Sequence, residues 1–313
     1  MTEAIEKTLG QWPIGKAHGY ESLQDDRVYR VSTSSGDYVL KDVGDQWEDS
    51  RYEFINTVLE HLTREGFDVD LGIRNRSGDY VVRCNGSRYV LNRYIPPGRS
   101  VDLPTESEQF LRSLGAALAK LHNSLLSFPL HERATWREDV TSLHLDSQKL
   151  ERDGMSRASI QPIEEIVSRR EAAYVQSMSG LPEQLIHRDM YLANCITDGP
   201  RVVGFIDWEL LCVSSPLQDL AYFMSDERWL PAASADVDAW LRHLGCLLTS
   251  YSTHREVTRP EAESLPFMML GWLAGFVVRH HGLQDGTGPK YHAALHLLDM
   301  HFEDAISATR CSL

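Results

Sequence analysis

Three polar residues beside apolar segments have the types and spacing that phosphoryl transfer requires. Asp189 follows a short apolar segment, and Asn194 lies five residues later. Asp207 comes directly after the apolar segment 202–206. Phosphoryl transfer needs one carboxylate beside the acceptor hydroxyl, and a carboxylate and an amide on Mg²⁺. The pattern therefore predicts that Asp189 orients and deprotonates a hydroxyl, and that Asn194 and Asp207 bind Mg²⁺.

A lysine on a strand is the second part that this chemistry needs, because it lies against the nucleotide phosphates. The chain has only six lysines, and Lys41 ends the apolar segment 38–40. The helix predicted to follow carries Glu48, Glu53 and Glu60 as candidate partners. We predict an ion pair between Lys41 and Glu53.

Taken alone, each of these residues has a plain structural explanation. Aspartate and asparagine are common in turns, and a lysine is common at the edge of a sheet. Their joint occurrence favours a functional site. We expect His187 to hold its loop by hydrogen bonds rather than to transfer a proton. Glu209 either faces the substrate or caps the next segment.

The first 93 residues show the pattern of a small β-sheet with one helix. Residues 27–31 alternate with period two, as in a half-buried strand. Asn85-Gly86 is a strong hairpin signal, and Gly66 is placed to end the helix. The predicted strands cover 27–31, 38–43, 69–73, 80–83 and 88–94, and the predicted helix covers 46–64.

The remaining residues have mainly helical periodicity. The turn Pro96-Pro97-Gly98 is the predicted boundary between two domains, 1–93 and 94–313. Phe110, Leu114 and Leu118 begin an apolar stripe along one helix. The polar segment 128–158 is predicted to be a loop with short helical pieces. Further helices are predicted over 163–178, 216–225, 234–254, 261–282 and 290–308, and short strands over 185–187, 195–197 and 202–206.

Composition and charge exclude several classes of protein. The 313 residues carry a formal net charge of −14, which repels phosphate backbones and argues against nucleic-acid binding. We expect no membrane span and no signal peptide. The five scattered cysteines form no CxxC pair, as in free thiols of a reducing cytoplasm. The second domain carries most of the negative charge, either as a solvated surface or to attract a cationic substrate.

Three short motifs together resemble the aminoglycoside phosphotransferase/choline kinase family. They are His187-Arg188-Asp189 with Asn194, Ile206-Asp207-Trp208-Glu209, and the segment 216–221. The resemblance covers roughly 15–310 and implies an α+β, two-lobed protein-kinase-like fold. Its N-lobe, 1–93, would hold an antiparallel sheet plus one helix and bind the nucleotide. Its mainly helical C-lobe, 94–313, would hold the catalytic loop, the metal site and the acceptor.

The resemblance also implies roles for individual residues. Asp189 becomes the catalytic base, and Asn194 and Asp207 become the metal ligands. Lys41 becomes the phosphate lysine, paired with Glu53. Tyr94 and Ile95 would border the adenine, Ser22 is a candidate phosphate donor, and Asp219 would steady the catalytic loop.

Two positions depart from the usual family pattern. Arg188 stands where most members have glycine, and Tyr191 stands where they have histidine. His-Arg-Asp also occurs in protein kinases, so a protein Ser/Thr kinase is one alternative. Only 11 residues separate Asp207 from Asp219, which leaves no room for a normal activation segment. A nucleotide-binding scaffold without turnover is the other alternative.

The sequence therefore predicts a cytoplasmic small-molecule kinase. It would move the γ-phosphoryl group of ATP, or of GTP, to a hydroxyl of a small, amine-bearing and so cationic acceptor. That acceptor would be a metabolite or an aminoglycoside-type antibiotic.

Overall fold

The structure is a computed structural model. It describes residues 2–24, 27–84, 86–96, 101, 103–129, 136–137, 143, 145–231, 233–281, 283 and 286–313, with the backbone alone at 2–4, 24 and 103–105. Asn85, Pro97 and Gly98 of the predicted turns, and residues 130–135, 138–142 and 144 of the predicted loop 128–158, lie outside the described residues.

The chain divides into two compact units. Unit 1 comprises Met1–Arg99 and Val203–Glu209, and unit 2 comprises Ser100–Val202 and Leu210–Leu313. The segment that carries Asp207 therefore packs with the first unit, although it lies more than 100 residues later in the chain. The functional assignment of 1–93 and 94–313 as two lobes stays a prediction.

Unit 1 is built on a five-stranded antiparallel sheet of order β1-β2-β3-β6-β5. Its elements are α1 (Thr2–Leu9), β1 (Ala17–Gln24), β2 (Val28–Thr33), β3 (Gly36–Asp42), α2 (Asp49–Arg64), β4 (Asp68–Val69), β5 (Val81–Cys84) and β6 (Ser87–Arg93). Alternate residues of β2, namely Tyr29, Val31 and Thr33, are buried, as its period-two pattern predicts.

The core of unit 1 lies between this sheet and the segment 5–12 that precedes it. Trp12, Val31, Leu40 and Leu91 are fully buried in one cluster. Lys41 follows Leu40 on the central strand β3, where it lies opposite Val28 of β2 and Val90 of β6. The sheet therefore holds the Lys41 backbone on both sides.

Unit 2 is mainly helical. Its elements are α3 (Leu103–Leu126), α4 (Ser147–Arg152), α5 (Arg157–Met178), β7 (Gln184–Ile186), β8 (Cys195–Asp198), β10 (Cys212–Ser214), α6 (Leu217–Met224), α7 (Val237–Ser252), α8 (Arg259–His281), α9 (Gly288–Met300) and α10 (Phe302–Arg310). Strand β9 (Arg201–Phe205) begins in unit 2 and ends in unit 1, where it pairs in parallel with β4.

Helix packing in unit 2 follows the apolar stripes of the sequence. Helix α3 packs on α7, and α8 contacts α5, α6, α9 and α10. The predicted stripe on α3 is confirmed, since Phe110, Leu114, Leu118 and Leu121 are fully buried. Within the described residues, only α8 is long and apolar enough to cross a membrane, and 61% of its apolar window is buried inside the protein. A cytoplasmic location stays a prediction.

The α+β class is confirmed by an antiparallel sheet followed by mainly helical chain. The prediction of a single helix over 290–308 is wrong. Helix α9 ends at Met300, and α10 begins at Phe302 after His301 takes the non-helical angles φ −107° and ψ 27°. Helix α1 and strand β1 were not predicted.

Candidate active site

One buried carboxylate holds the backbone of the loop that follows β7. Asp219, on α6, accepts the backbone N–H groups of His187 at 3.0 Å and Arg188 at 2.7 Å. Arg188 has φ +71°, which is left-handed backbone that a side chain disfavours. The two bonds therefore hold the residue before Asp189 in a conformation that it would not adopt by itself.

Asp219 is itself held by a buried histidine. His122 Nε2 lies 3.0 Å from Asp219 Oδ2, and His122 Nδ1 lies 2.8 Å from the hydroxyl of Tyr251. Burial lowers the pKa of His122, although the nearby Asp219 opposes this effect. A neutral imidazole fits both contacts, because Nε2–H donates to Asp219 and Nδ1 accepts from Tyr251.

The structure brings Asp189 and Asn194 together in unit 2. Asn194 Nδ2 donates to the backbone oxygen of Asp189 at 2.8 Å and to its carboxylate Oδ2 at 3.2 Å. The hydroxyl of Tyr222 donates to Asp189 Oδ1 at 2.7 Å. His187 Nδ1 accepts the backbone N–H of Asp189 at 3.3 Å. His187 therefore makes the structural contact that the sequence predicted for it.

Unit 1 supplies a lysine with two acidic partners. Lys41 Nζ lies 2.8 Å from Asp207 Oδ1 and 3.5 Å from Glu209 Oε1. Burial opposes the charged form of Lys41, but the carboxylates of Asp207, Glu209 and Asp70 raise its pKa above the usual value. Lys41 is thus a permanent cation at neutral pH.

A further acid, Asp70, lies behind this pair and was missed by the sequence analysis. Its carboxylate accepts the backbone N–H of Asp207 at 3.3 Å and the side-chain N–H of Asn92 at 3.1 Å. Burial raises the pKa of Asp70 to about 6, although Lys41 acts against this rise. Asp207 has φ +68°, so Asp70 binds backbone in a left-handed conformation. No sequence motif pointed to Asp70, because the adjoining strand β4 has only two residues.

The predicted ion pair between Lys41 and Glu53 is wrong. Glu53 pairs instead with Arg74, 3.0 Å away, and its side chain is 44% exposed. The buried face of α2 carries Tyr52, Ile55 and other residues. Glu53 lies beside that face, since consecutive helical residues point about 100° apart. The apolar spacing from Tyr52 to Ile55 was the signal that could have revealed this.

Glu209 takes the place beside Lys41 that was expected of Glu53. Its backbone oxygen accepts two hydrogen bonds from the buried guanidinium of Arg51, at 3.1 and 2.6 Å. Arg51 in turn stacks on the Trp47 ring, 4.1 Å from its centroid. The segment that bears Asp207 and Glu209 is thereby anchored to α2.

The remaining predicted nucleotide contacts lie at the sheet and just after it. Tyr94 follows β6, donates its backbone N–H to Asp37 at 3.1 Å and stacks under Arg30. Ile95 comes next and is half-buried. Ser22 lies exposed on β1 opposite Tyr29. Their roles towards a nucleotide stay predictions.

Each unit holds residues of the types that a phosphotransferase uses. Asp189 and Asn194 lie in unit 2, and Lys41 and Asp207 lie in unit 1. A fixed carboxylate beside an asparagine, and a strand lysine paired with an aspartate, are the residues that kinases use to position and neutralise phosphates. Comparison with known proteins tests this class directly.

The comparisons agree with one another. A profile of the phosphotransferase enzyme family matches residues 16–256. A homoserine kinase of Methylobacterium sp. (strain 4-46) is 25% identical over 286 residues, which cover 88% of this chain and 84% of that protein. The solved structure of amicoumacin kinase in complex with AMP-PNP and Ca²⁺ superposes with a TM-score of 0.69 at 15% identity, covering 96% of this chain and 93% of that one.

A second solved structure, a microcompartment-associated aminopropanol kinase, has a TM-score of 0.67 at 16% identity and covers 99% of both chains. The kinase-like fold is thus confirmed. The chain belongs to the phosphotransferase enzyme family, as its motifs indicated. It is an ATP-dependent phosphotransferase whose acceptor is an alcohol group, and it acts on small molecules.

Proposed function

We propose that the protein transfers the γ-phosphoryl group of ATP to the hydroxyl of a small amine-bearing molecule, with Asp189 as the base. The geometry of Asp189 carries this proposal. Its carboxylate is held by Asn194 at 3.2 Å on a loop that Asp219 anchors. A fixed carboxylate can accept the proton of an acceptor hydroxyl as that hydroxyl attacks.

In the proposed step, the acceptor oxygen forms a bond to the γ-phosphorus and its proton passes to Asp189. The bond from the γ-phosphorus to the β,γ-bridging oxygen breaks. ADP leaves with the electron pair of that bond. Lys41 binds the nucleotide phosphates, and its cation offsets the charge that develops there.

The donor set fits a divalent cation. Asn194 uses Nδ2 towards Asp189, so its amide oxygen is the atom suited to a metal. Asp207 adds a carboxylate, and such hard oxygens are the ligands that Mg²⁺ prefers. When bound, Mg²⁺ would supply positive charge beside the phosphate oxygens. Asn194 in unit 2 and Asp207 in unit 1 are the residues that we propose as ligands.

The acceptor class rests on the relatives and on charge. The homoserine kinase and the aminopropanol kinase are both named for small molecules that carry an amine and a hydroxyl. Residues 94–313 carry a net charge of −10, which favours a cationic acceptor. We therefore place hydroxy amino acids and amino alcohols first, ahead of aminoglycosides.

The short segment after Asp207 disfavours a protein kinase. It forms a 3₁₀-helix at Trp208–Leu210 and the buried strand β10 before α6 begins at Leu217. Such a segment offers no exposed platform on which an extended peptide could lie.

The experiment is a panel of acceptors with purified protein, Mg²⁺ and either ATP or GTP. The panel contains homoserine, aminopropanol, ethanolamine, choline, an aminoglycoside and a Ser/Thr peptide mixture. ADP release is followed by a coupled assay, and the product is identified by mass spectrometry. We expect turnover with one small amine-bearing acceptor.

The matched control is Asp189→Asn, which keeps the shape of the side chain and removes the base. We expect kcat to fall at least about 10²-fold with nucleotide binding retained. Full activity of Asp189→Asn would refute the mechanism. Phosphorylation of peptides alone would identify a protein kinase, and nucleotide binding without turnover would identify a scaffold.

A further inference from the structure

We propose that Tyr222 is a positioning residue that fixes the orientation of the Asp189 carboxylate. This inference rests on the proposed role of Asp189 as the base. The Tyr222 hydroxyl donates to Asp189 Oδ1 at 2.7 Å, which is shorter than the 3.2 Å contact from Asn194 to Oδ2. Tyr222 therefore makes the closer of these two side-chain contacts to the carboxylate.

The helix α6 presents Tyr222 and Asp219 to the same loop. The two residues are three apart, so they share one face of the helix. Asp219 holds the backbone of His187 and Arg188, and Tyr222 holds the side chain of Asp189. One helical turn thus fixes both the main chain and the reactive group.

The Tyr222 ring packs against two aromatic side chains of α8. Its centroid lies 4.6 Å from that of Trp272 and 5.3 Å from that of Phe276, with both rings edge-on. Trp272 Nε1 donates to Gln218 Oε1 at 2.8 Å, and Gln218 lies one turn before Tyr222 on α6. These contacts restrict rotation of the ring, so the hydroxyl remains directed towards Asp189.

The hydroxyl also has the right chemistry to act only as a donor. Burial raises the pKa of Tyr222, and the Asp189 charge adds to the rise. The phenol therefore keeps its proton and cannot compete with Asp189 as a base. A carboxylate oxygen has two lone-pair positions, so each oxygen of Asp189 retains one for the acceptor hydroxyl after Tyr222 and Asn194 have bound.

The test is Tyr222→Phe, which keeps the ring and its packing and removes only the donor. The Asp189 carboxylate then loses the shorter of these two side-chain contacts and is held less firmly towards the acceptor hydroxyl. We expect the plateau kcat to fall by about tenfold through lost orientation, with an unchanged KM for ATP.

The matched control is Tyr291→Phe in the same aromatic cluster. The centroid of its ring lies 5.0 Å from that of Phe276. Its hydroxyl forms a hydrogen bond with the backbone of Glu227 rather than with Asp189. We expect this variant to keep the kcat of the wild type. Equal melting temperatures of both variants would show that packing is intact.

A double variant separates the two proposals. If Tyr222 acts through Asp189, adding Tyr222→Phe to Asp189→Asn should lower kcat no further. A further tenfold loss in the double variant, or a wild-type kcat in Tyr222→Phe, would overturn the role of Tyr222 and leave Asp189 as the base. An active Asp189→Asn enzyme would instead overturn the proposed function.

Discussion

Asp219 Oδ1 accepts the backbone N–H of Arg188 at 2.7 Å, one residue before the proposed base. This bond joins α6 to a loop 31 positions earlier in the chain. It acts on a residue with φ +71°, a conformation that costs on the order of 1–3 kcal/mol for a residue with a side chain. The carboxylate of Asp219 therefore stabilises a loop shape that local preferences oppose.

Asp219→Asn should destabilise the protein and lower its activity. An amide offers one accepting oxygen, whereas Asp219 accepts from His187, Arg188 and His122. We expect a loss of about 2 kcal/mol in the free energy of unfolding and a fall of at least about tenfold in kcat. Urea unfolding and steady-state kinetics measure both effects. Asp238→Asn, at an exposed position of α7, should change neither.

Lys41→Met should impair catalysis, and Glu53→Gln should not. Loss of Lys41 removes the cation paired with Asp207 and Glu209, so we expect kcat/KM for ATP to fall by about 10². Glu53 forms only a half-exposed pair with Arg74, and such pairs contribute about 0–1 kcal/mol. Kinetics with varied ATP test both variants. Equal losses in the two variants would argue against the pairing of Lys41 with Asp207 and Glu209.

The buried His122 should make the protein sensitive to mild acid. Burial lowers the pKa of His122 below its usual 6.5, so below that pH the unfolded chain takes up a proton that the folded protein does not. Stability is therefore kept above pH 6.5 and lost as the pH falls towards the folded-state pKa. The loss has a limiting slope of about 1.4 kcal/mol per pH unit.

Urea unfolding at pH 5.5 and 7.5 measures this dependence. His122→Gln should flatten it, because its side chain does not titrate. His254→Gln changes an exposed histidine and should leave the dependence as in the wild type. A wild-type slope that persists in His122→Gln would assign the acid sensitivity to other groups.

Gly204→Ala should be among the more damaging small substitutions. A Cβ at this position would lie 2.0 Å from the backbone oxygen of Asp68, on the paired strand β4. The strands would have to separate just before Asp207. We expect a loss of about 1–3 kcal/mol in the free energy of unfolding and reduced binding of ATP.

Gly275→Ala is the matched control for the same change. Gly275 is exposed within α8, and a Cβ there would meet nothing within 4 Å. We expect a gain of about 0.5–1 kcal/mol, because alanine favours the helix. Differential scanning calorimetry compares the two variants. A stable Gly204→Ala protein would show that β4 and β9 tolerate separation.

Much of the fold could be predicted from local patterns. The alternation in β2 places Tyr29 and Val31 inside the sheet, and the spacing from Phe110 to Leu118 fixes the buried face of α3. Each pattern depends only on neighbours in the chain, since the side-chain period of a strand or helix is local. The split between α9 and α10 was missed because apolar spacing continues across His301.

The candidate site likewise combines residues that the sequence predicts with contacts that it does not predict. The sequence by itself determined Asp189, Asn194, Asp207 and Lys41 as the candidates, because their chemistry and spacing belong to short motifs. Only the tertiary structure decided their partners. Which acid meets Lys41 depends on the rotation of α2, and packing turned Glu53 towards solvent and left Glu209 beside the lysine.

Tertiary packing also explains why no sequence motif indicated Tyr222 or Asp70. Tyr222 reaches Asp189 across 33 residues of chain, and Asp70 reaches Asp207 across 137. Contacts at such separations are set by how helices and strands pack, not by local spacing. The sequence thus determined which groups perform the chemistry, and the packed structure decided which groups hold them in place.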